Sequence, residues 1–256
     1  MKKRTRKIIR FIGIIFIIAG LGIFGWEFYQ STKSKGISQD LESISKKIDD
    51  ELPPQGTITL AEAFQLKHKR LNEEYLTLNE DYAGWVKVDG TVINYPYVHF
   101  KNNDFYFRRG FDKKRLVHGT IFMDYRNDPN FTDKHTVLYG HAMLDGTMFR
   151  ALDKYKSKDF FEQNQTIEIR TLNDVRTYRI FSAYVVDASK RGLDIPGNDQ
   201  SVESLIALYK GHGRYKTSTD TSDADHVLTL VSCNYDIDNG RIIVHAVLDS
   251  VVELEP

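Results

Sequence analysis

The stretch HVLTLVSCNYDIDNGRIIVHAVL, residues 226–248, decides the architecture. Two apolar runs rich in Val, Leu and Ile flank the connection 234–240, which ends in Asn239-Gly240. Each run has strand length and strand composition, and so short a connection makes the two antiparallel neighbours. On a pleated strand Val227, Thr229, Val231 and Cys233 share one face, and Leu228, Leu230 and Ser232 the other. The pairing brings Cys233, at the exit of the first strand, to the same rim as Arg241, at the entry of the second. Cys233 is the only cysteine among 256 residues. A lone Cys in a strand is commonly a small buried hydrophobe. A guanidinium beside it would favour the thiolate and a nucleophilic role. The residues alone leave both readings standing.

Working outward, other strand-like runs appear at 119–125, 135–140, 166–172 and 176–186. A hairpin signal, WVKV-DG-TVINY, spans residues 85–95. Helical pieces at 146–155 and 201–211 lie between these runs. Many short strands with few helices predict one mostly-β domain, a barrel or a sandwich.

The N-terminus has a different character. Lys2, Lys3, Arg4, Arg6, Lys7 and Arg10 precede an uncharged run from Phe11 to Trp26. With Ile8 and Ile9, and with Arg10 snorkelling, the run approaches the ~20 residues of a membrane span. Trp26, Phe28 and Tyr29 suit an interfacial belt. The basic flank places the N-terminus in the cytoplasm and the body outside. A cleaved signal peptide is the rival, although no A-x-A site follows the run. Either way the body is exported, where stabilising cysteines come in pairs, so an unpaired thiol asks for a reason. Residues 27–256 hold 29 basic against 35 acidic residues, which argues against a nucleic-acid partner.

Between anchor and body, Ile37, Leu41, Ile44, Ile48 and Leu52 recur at helical spacing, with Ser38 as the expected N-cap. LPPQG (52–56) breaks this helix. Thr59-x-x-Glu62 then reads as a capping box for a second helix, striped by Phe64, Leu71, Tyr75 and Leu78. The pair is either a spacer or packed on the domain.

A cysteine nucleophile needs a base. Of eight histidines, His68 reads as solvated and His245 as a core residue. His99, His118, His135, His212 and His226 have no supporting motif. His141 ends the strand run TVLYGH on a Gly-flanked rim. The segment DIDNG fails as a calcium loop, because a loop opening at Asp236 would need Gly and Glu where Arg241 and Val247 stand. Zinc lacks a ligand set.

TLVSC and NGRIIVHA, with YGHAMLDGTMF upstream, together resemble the sortases, surface cysteine transpeptidases of Gram-positive bacteria. GTIFMDYRN (119–127), GHAMLDGTMF (140–149) and the N-terminal helices look most like class B. The likeness runs from about Trp85 to Leu248. It implies a closed eight-stranded β-barrel with peripheral helices, preceded by a helix pair and a membrane anchor. The corresponding boundaries are 1–7 for a cytoplasmic basic segment, 8–29 for the anchor, 30–82 for a helical region and 83–256 for the catalytic barrel.

The resemblance further implies roles. Cys233 is the nucleophile, His141 the general acid and base, and Arg241 the group that steadies the substrate carbonyl or oxyanion. Ser232, Asn103 and Phe107 are implied substrate contacts. The implied partners are the sorting-signal peptide of a secreted surface protein and a peptidoglycan amine, with no metal or organic cofactor. Val231 replaces the small polar residue common before the Ser/Thr-Cys pair of class B, and Ala142 replaces the Asn common after the His. Both departures bear on the peptide motif read. A pilin polymerase, a hydrolytic cysteine peptidase and a non-catalytic membrane-anchored barrel are the competing expectations.

Overall fold

The computed structural model describes residues 3–54, 56–189 and 200–254, with residues 3–10 described through their backbone alone. The side chains of the basic segment 1–7, and that of Arg10, therefore lie outside the described residues.

Helix α1 (Lys3–Glu51) is continuous for 49 residues. No proline interrupts it until Pro53-Pro54, and a Cβ on Gly13, Gly20, Gly22, Gly25 or Gly36 would meet open space. The expected helix start at Ser38 is therefore corrected. Ser38 is interior to α1, because a lone Gly36 costs about 1 kcal/mol, too little to end a helix held by tertiary contacts. Within α1 the segment from Phe11 is long and apolar enough to cross a membrane, and its most apolar window is not buried by protein.

Helix α2 (Leu60–Leu78) opens with the expected capping box. Thr59 Oγ1 accepts from the Glu62 amide, and the Glu62 carboxylate accepts from the Thr59 amide. Lys67 pairs with Asp49, and the Tyr75 hydroxyl donates to the Leu41 carbonyl, so α2 runs antiparallel to α1. Leu41, Ile48, Leu71 and Tyr75 close over Trp85 and Phe111. The helix pair is packed on the domain.

Eight strands form a closed barrel in the order β1-β2-β3-β4-β7-β8-β6-β5. They are β1 (Tyr82–Val88), β2 (Asn94–Val98), β3 (Ile121–Met123), β4 (His135–Gly140), β5 (Thr166–Arg170), β6 (Asp174–Asp187), β7 (Val227–Cys233) and β8 (Gly240–Glu253). β2·β3 and β4·β7 pair parallel, and the other neighbours pair antiparallel. Val86, Ile121, Leu138, Ile169, Leu230 and Val244 fill the interior and are fully buried. Each such side chain contributes about 1.5–3 kcal/mol by leaving water.

Three local expectations change. The β1–β2 turn spans 89–93 rather than two residues. Thr91 Oγ1 bonds both the Val88 carbonyl and the Ile93 amide, lengthening the turn. The strand expected at 119–125 is confined to Ile121–Met123, because Gly119 takes φ +62° before it and the chain turns after Asp124, whose amide still bonds Val137 and whose carbonyl accepts from Asn127. The helix expected at 146–155 is a run of 3-10 turns (Phe149–Lys156), followed by the short helix α3 (Lys158–Gln163). Helix α4 (Val202–His212) lays Leu205, Ile206 and Tyr209 over Phe181, Val227 and Val247 on the barrel's outside.

Candidate active site

Because β4 and β7 are parallel neighbours, they end at the same rim. Their last registered pair is Gly140↔Ser232, so one further step sets His141 beside Cys233. Across the other edge of β7, Cys233 pairs directly with Arg241 of β8. An imidazole, a thiol and a guanidinium thus follow one another across three adjacent strands. Alternation directs Cys233 to the outward face, along with Val227, Thr229 and Val231. All three groups line one open groove of about 320 Å³, with Asn103, Phe107, Phe122, Tyr139, Val231 and Ser232. Cys233 is half-buried and unpaired.

Two hydrogen bonds brace this row. The Ser232 hydroxyl donates to the Gly140 carbonyl at 2.9 Å, and the Tyr235 hydroxyl donates to the Ala142 carbonyl at 2.6 Å. Residues on both sides of His141 are therefore gripped by residues on both sides of Cys233. The Cys–Arg connection is itself fastened down. Asn234 donates to Asp153, Lys156 pairs with Asp236, and the Arg150 guanidinium lies 5.1 Å from the Tyr235 ring centre. Asn239 adopts φ +53°, a conformation Asn tolerates, and delivers the chain into Gly240 and Arg241. Arg241 Nη1 donates to the Gly240 carbonyl at 2.8 Å, which orients its guanidinium at the rim.

His141 has a defined environment. Its Nε2 lies 2.6 Å from the Phe107 carbonyl, and the Phe107 ring centre is 4.3 Å from the imidazole's. A carbonyl only accepts, so Nε2 carries the proton and Nδ1 is the basic nitrogen of the neutral ring. Burial pushes the His141 pKa below the ordinary value. Arg108 and His118 act in the same direction, and the Phe107 carbonyl opposes them. The neutral imidazole is favoured near pH 7. Gly119 packs beneath the ring at φ +62°, where an added Cβ would come within 3.1 Å of His141 Cδ2 and 2.8 Å of two carbonyl oxygens. Only glycine takes this place without strain.

The remaining sequence-derived residues have these surroundings. Phe107, 42% exposed, forms part of a 3-10 turn (Tyr106–Arg108) at the groove edge. Asn103 reaches the groove, but its amide nitrogen donates to Asp124 and its amide oxygen accepts from the Tyr125 amide. Ser232 lines the groove with its hydroxyl proton committed to Gly140. Val231 replaces a polar lining with an apolar one, and Ala142 is buried at the Tyr235 contact. His68 corrects the expectation of a solvated side chain. It is 8% exposed and donates to the Phe64 carbonyl, because its face of α2 turns toward Glu168 and Arg170 of β5. His245 is buried, as read.

Sequence reasoning missed Asp124, Tyr139 and Tyr235. Asp124 is fully buried and accepts from Asn103, Arg126 and Tyr139. Burial alone would raise its carboxyl, but the Arg126 and Asn103 hydrogen bonds outweigh that and hold it below the usual range. The segment Asp124-Tyr125-Arg126 offered opposite charges two positions apart and no periodic signal. Among the described residues no group of three His, Cys, Asp or Glu side chains is placed to hold a metal.

A model of the sortase domain matches residues 86–249, well over half of the chain and nearly all of the barrel. The chain belongs to the sortase family. It is 27% identical over 252 residues to sortase B of Listeria monocytogenes, covering 94% of this chain and 98% of that relative. To sortase B of Staphylococcus aureus it is 28% identical over 249 residues, covering 95% and 96%. The X-ray structure of Clostridium perfringens sortase B superposes with a TM-score of 0.65 at 32% identity, over 70% of this chain and all of that one. This sortase is class B-like, a cysteine transpeptidase of cell-wall sorting. The closed barrel with its helices is the fold those relatives lead one to expect.

Proposed function

We propose that this sortase is anchored by α1 with its barrel outside the cell, and that it joins a sorting-signal peptide to a peptidoglycan amine through a thioester on Cys233. The observation that carries the proposal is the row His141, Cys233 and Arg241 on one groove.

The Cys233 thiolate attacks the scissile carbonyl carbon. The electron pair moves to the carbonyl oxygen, where Arg241 steadies the developing charge. Collapse breaks the C–N bond, and His141 as imidazolium gives its proton to the departing amine. The thioester that remains is attacked by the acceptor amine, whose proton passes to the now neutral His141. Collapse then expels the Cys233 thiolate. The lowered His141 pKa makes the thiolate–imidazolium pair a minority species that forms as the reaction draws on it.

The open groove suits an extended peptide. Val231 and Phe107 offer apolar walls, and the Asn103 amide, already bonded on both sides, acts as a fixed wall. The boundaries at residues 8–29, 30–82 and 83–256 follow from the same reading.

The test is mass spectrometry of the full chain incubated with a panel of sorting-signal peptides. An adduct on Cys233 that an added amine converts to a new amide is expected. Hydrolysis undiverted by the amine would replace transpeptidation with peptidase chemistry, and the absence of any adduct across the panel would remove the thioester.

A further inference from the structure

On α1 every described residue from Phe11 to Tyr29 is exposed, and the next, Gln30, is 4% exposed. The apolar part of the helix therefore ends where the barrel begins, with no spacer between them. The barrel is fastened to the first turn past Tyr29 at three points. Gln30 Oε1 accepts from the Val117 amide, the Ser31 hydroxyl donates to Asp145 at 2.6 Å, and Lys33 Nζ donates to the Arg115 carbonyl. At about 1.5 Å of rise per residue, these contacts lie only about 2–6 Å along the helix from Tyr29.

Two loops are thereby held beside the end of the apolar run, and both carry side chains unusual for a water-facing surface. Leu144, next to Asp145, is 82% exposed, and Val117 is 37% exposed. Residues 107–118 contain five basic residues and one acidic. Of these, Lys113 is paired with Glu80 and Asp81. Lys114 is exposed with Asp112 only at 4.0 Å, and the exposed Arg115 has no carboxylate partner among the described residues. A Leu at a loop tip, with the exposed Arg115 held through its carbonyl to Lys33 about 6 Å along the helix from Tyr29 and Lys114 one residue further back, has the composition that binds an anionic lipid surface.

We infer that the loops 114–118 and 142–148 form a second, peripheral contact with an anionic phospholipid bilayer, with Leu144 entering the interface, Arg115 nearest the headgroups and Lys114 adding positive charge behind it. This rests on α1 being a membrane span. The 142–148 loop follows His141 directly and is tied to Cys233's neighbour through Tyr235. The contact therefore holds the catalytic row close to the bilayer surface.

The test uses the full chain with Cys233→Ala, which frees it of thiols, and single cysteines at three positions carrying an environment-sensitive fluorophore. Leu144→Cys reports the proposed contact and Phe24→Cys the span. Leu60→Cys is the control, being 80% exposed like Leu144 but placed beyond the Asp49 end of the helix pair, about 30 Å further from Tyr29. The protein is reconstituted in phosphatidylglycerol–phosphatidylcholine vesicles containing lipid spin-labelled near the headgroup. The label at 144 should be quenched at least about twofold more than the label at 60. Lys114→Gln with Arg115→Gln, or about 0.5 M salt, should reduce that difference. Equal quenching at 144 and 60, with the label at 24 protected from water, overturns the peripheral contact and leaves the span intact. A water-exposed label at 24 overturns the span, and the contact with it.

Discussion

Thr229 and Cys233 stand four residues apart on the outward face of β7, facing Thr229's partner His245 and Cys233's partner Arg241 on β8. At the Thr229 level α4 covers the barrel. There the Thr229 hydroxyl is 2.6 Å from His135 and 2.7 Å from His245, which also bonds Tyr184 and stacks on Tyr209 at 3.6 Å. His226 is likewise held by Thr136 and Tyr178. At the Cys233 level no helix among the described residues covers the face, and the side chains open on a groove. One strand pair therefore carries two polar clusters of similar residue types with opposite fates. The cover decides. Under α4 the His135 and His245 rings, like His226 inside the barrel, are kept neutral with their bonds spent on packing, whereas at the rim the side chains stay open to the groove.

The comparison breaks most sharply at the thiol. Cys233→Ala should lower transpeptidation by about 1,000-fold or more, with an unchanged unfolding midpoint, as measured by acceptor-coupled peptide turnover and urea titration. Loss of stability with retained turnover would put Cys233 in the same class as Thr229.

The two histidines give the next effect. His141→Ala should abolish turnover with little change in stability. His245→Ala should cost about 2–4 kcal/mol, because it leaves a cavity and unpaired hydroxyls, while the folded fraction keeps its activity. The reverse outcome would invert the assignment.

Acid should separate the regions further. Burial lowers His135 to about 4 and His226 to about 3, and holds His245 well below its ordinary value. The unfolded chain titrates these rings near 6.5, so it binds more protons than the folded one below that pH. Their contribution is complete above about pH 7 and is lost as pH falls from about 6.5 toward 4, by up to about 1.4 kcal/mol per pH unit for each ring. Urea midpoints at pH 7.5, 6 and 5 measure the loss. His135→Gln should flatten the slope, and a slope unchanged in that variant would remove His135 from the cause.

The smallest effects belong to the braces. Ser232→Ala and Tyr235→Phe should each cost about 1 kcal/mol of stability or less. Each should lower kcat by roughly three- to tenfold through looser placement of His141, with KM little changed. A rise in KM alone would instead make Ser232 a peptide contact.

The strand pair 226–248 was legible because its two runs, its alternation and its short connection leave one economical arrangement, and Cys233 beside Arg241 follows from that register. The capping box at Thr59 was legible for the same local reason. His141 was legible as a strand-end histidine, but its pairing with Cys233 came from the family resemblance and not from the residue pattern, since β4 and β7 are separated by two strands, three helical segments and some ninety residues of chain. Asp124 and Tyr235 were illegible because their partners are fixed by the closed barrel. His68 was misread because exposure on a helix depends on what packs against it.

By itself the sequence determined the alternation, the caps, the apolar run before Tyr29 and the chemical inventory of one thiol and eight histidines, all set within a few residues along the chain. Tertiary structure alone decided the parallel register that sets His141 beside the thiol, which histidines are sealed under α4, and that α1 passes from its apolar stretch onto the barrel without a break. Those outcomes depend on non-local pairing and cover, which strand and helix periodicities do not encode.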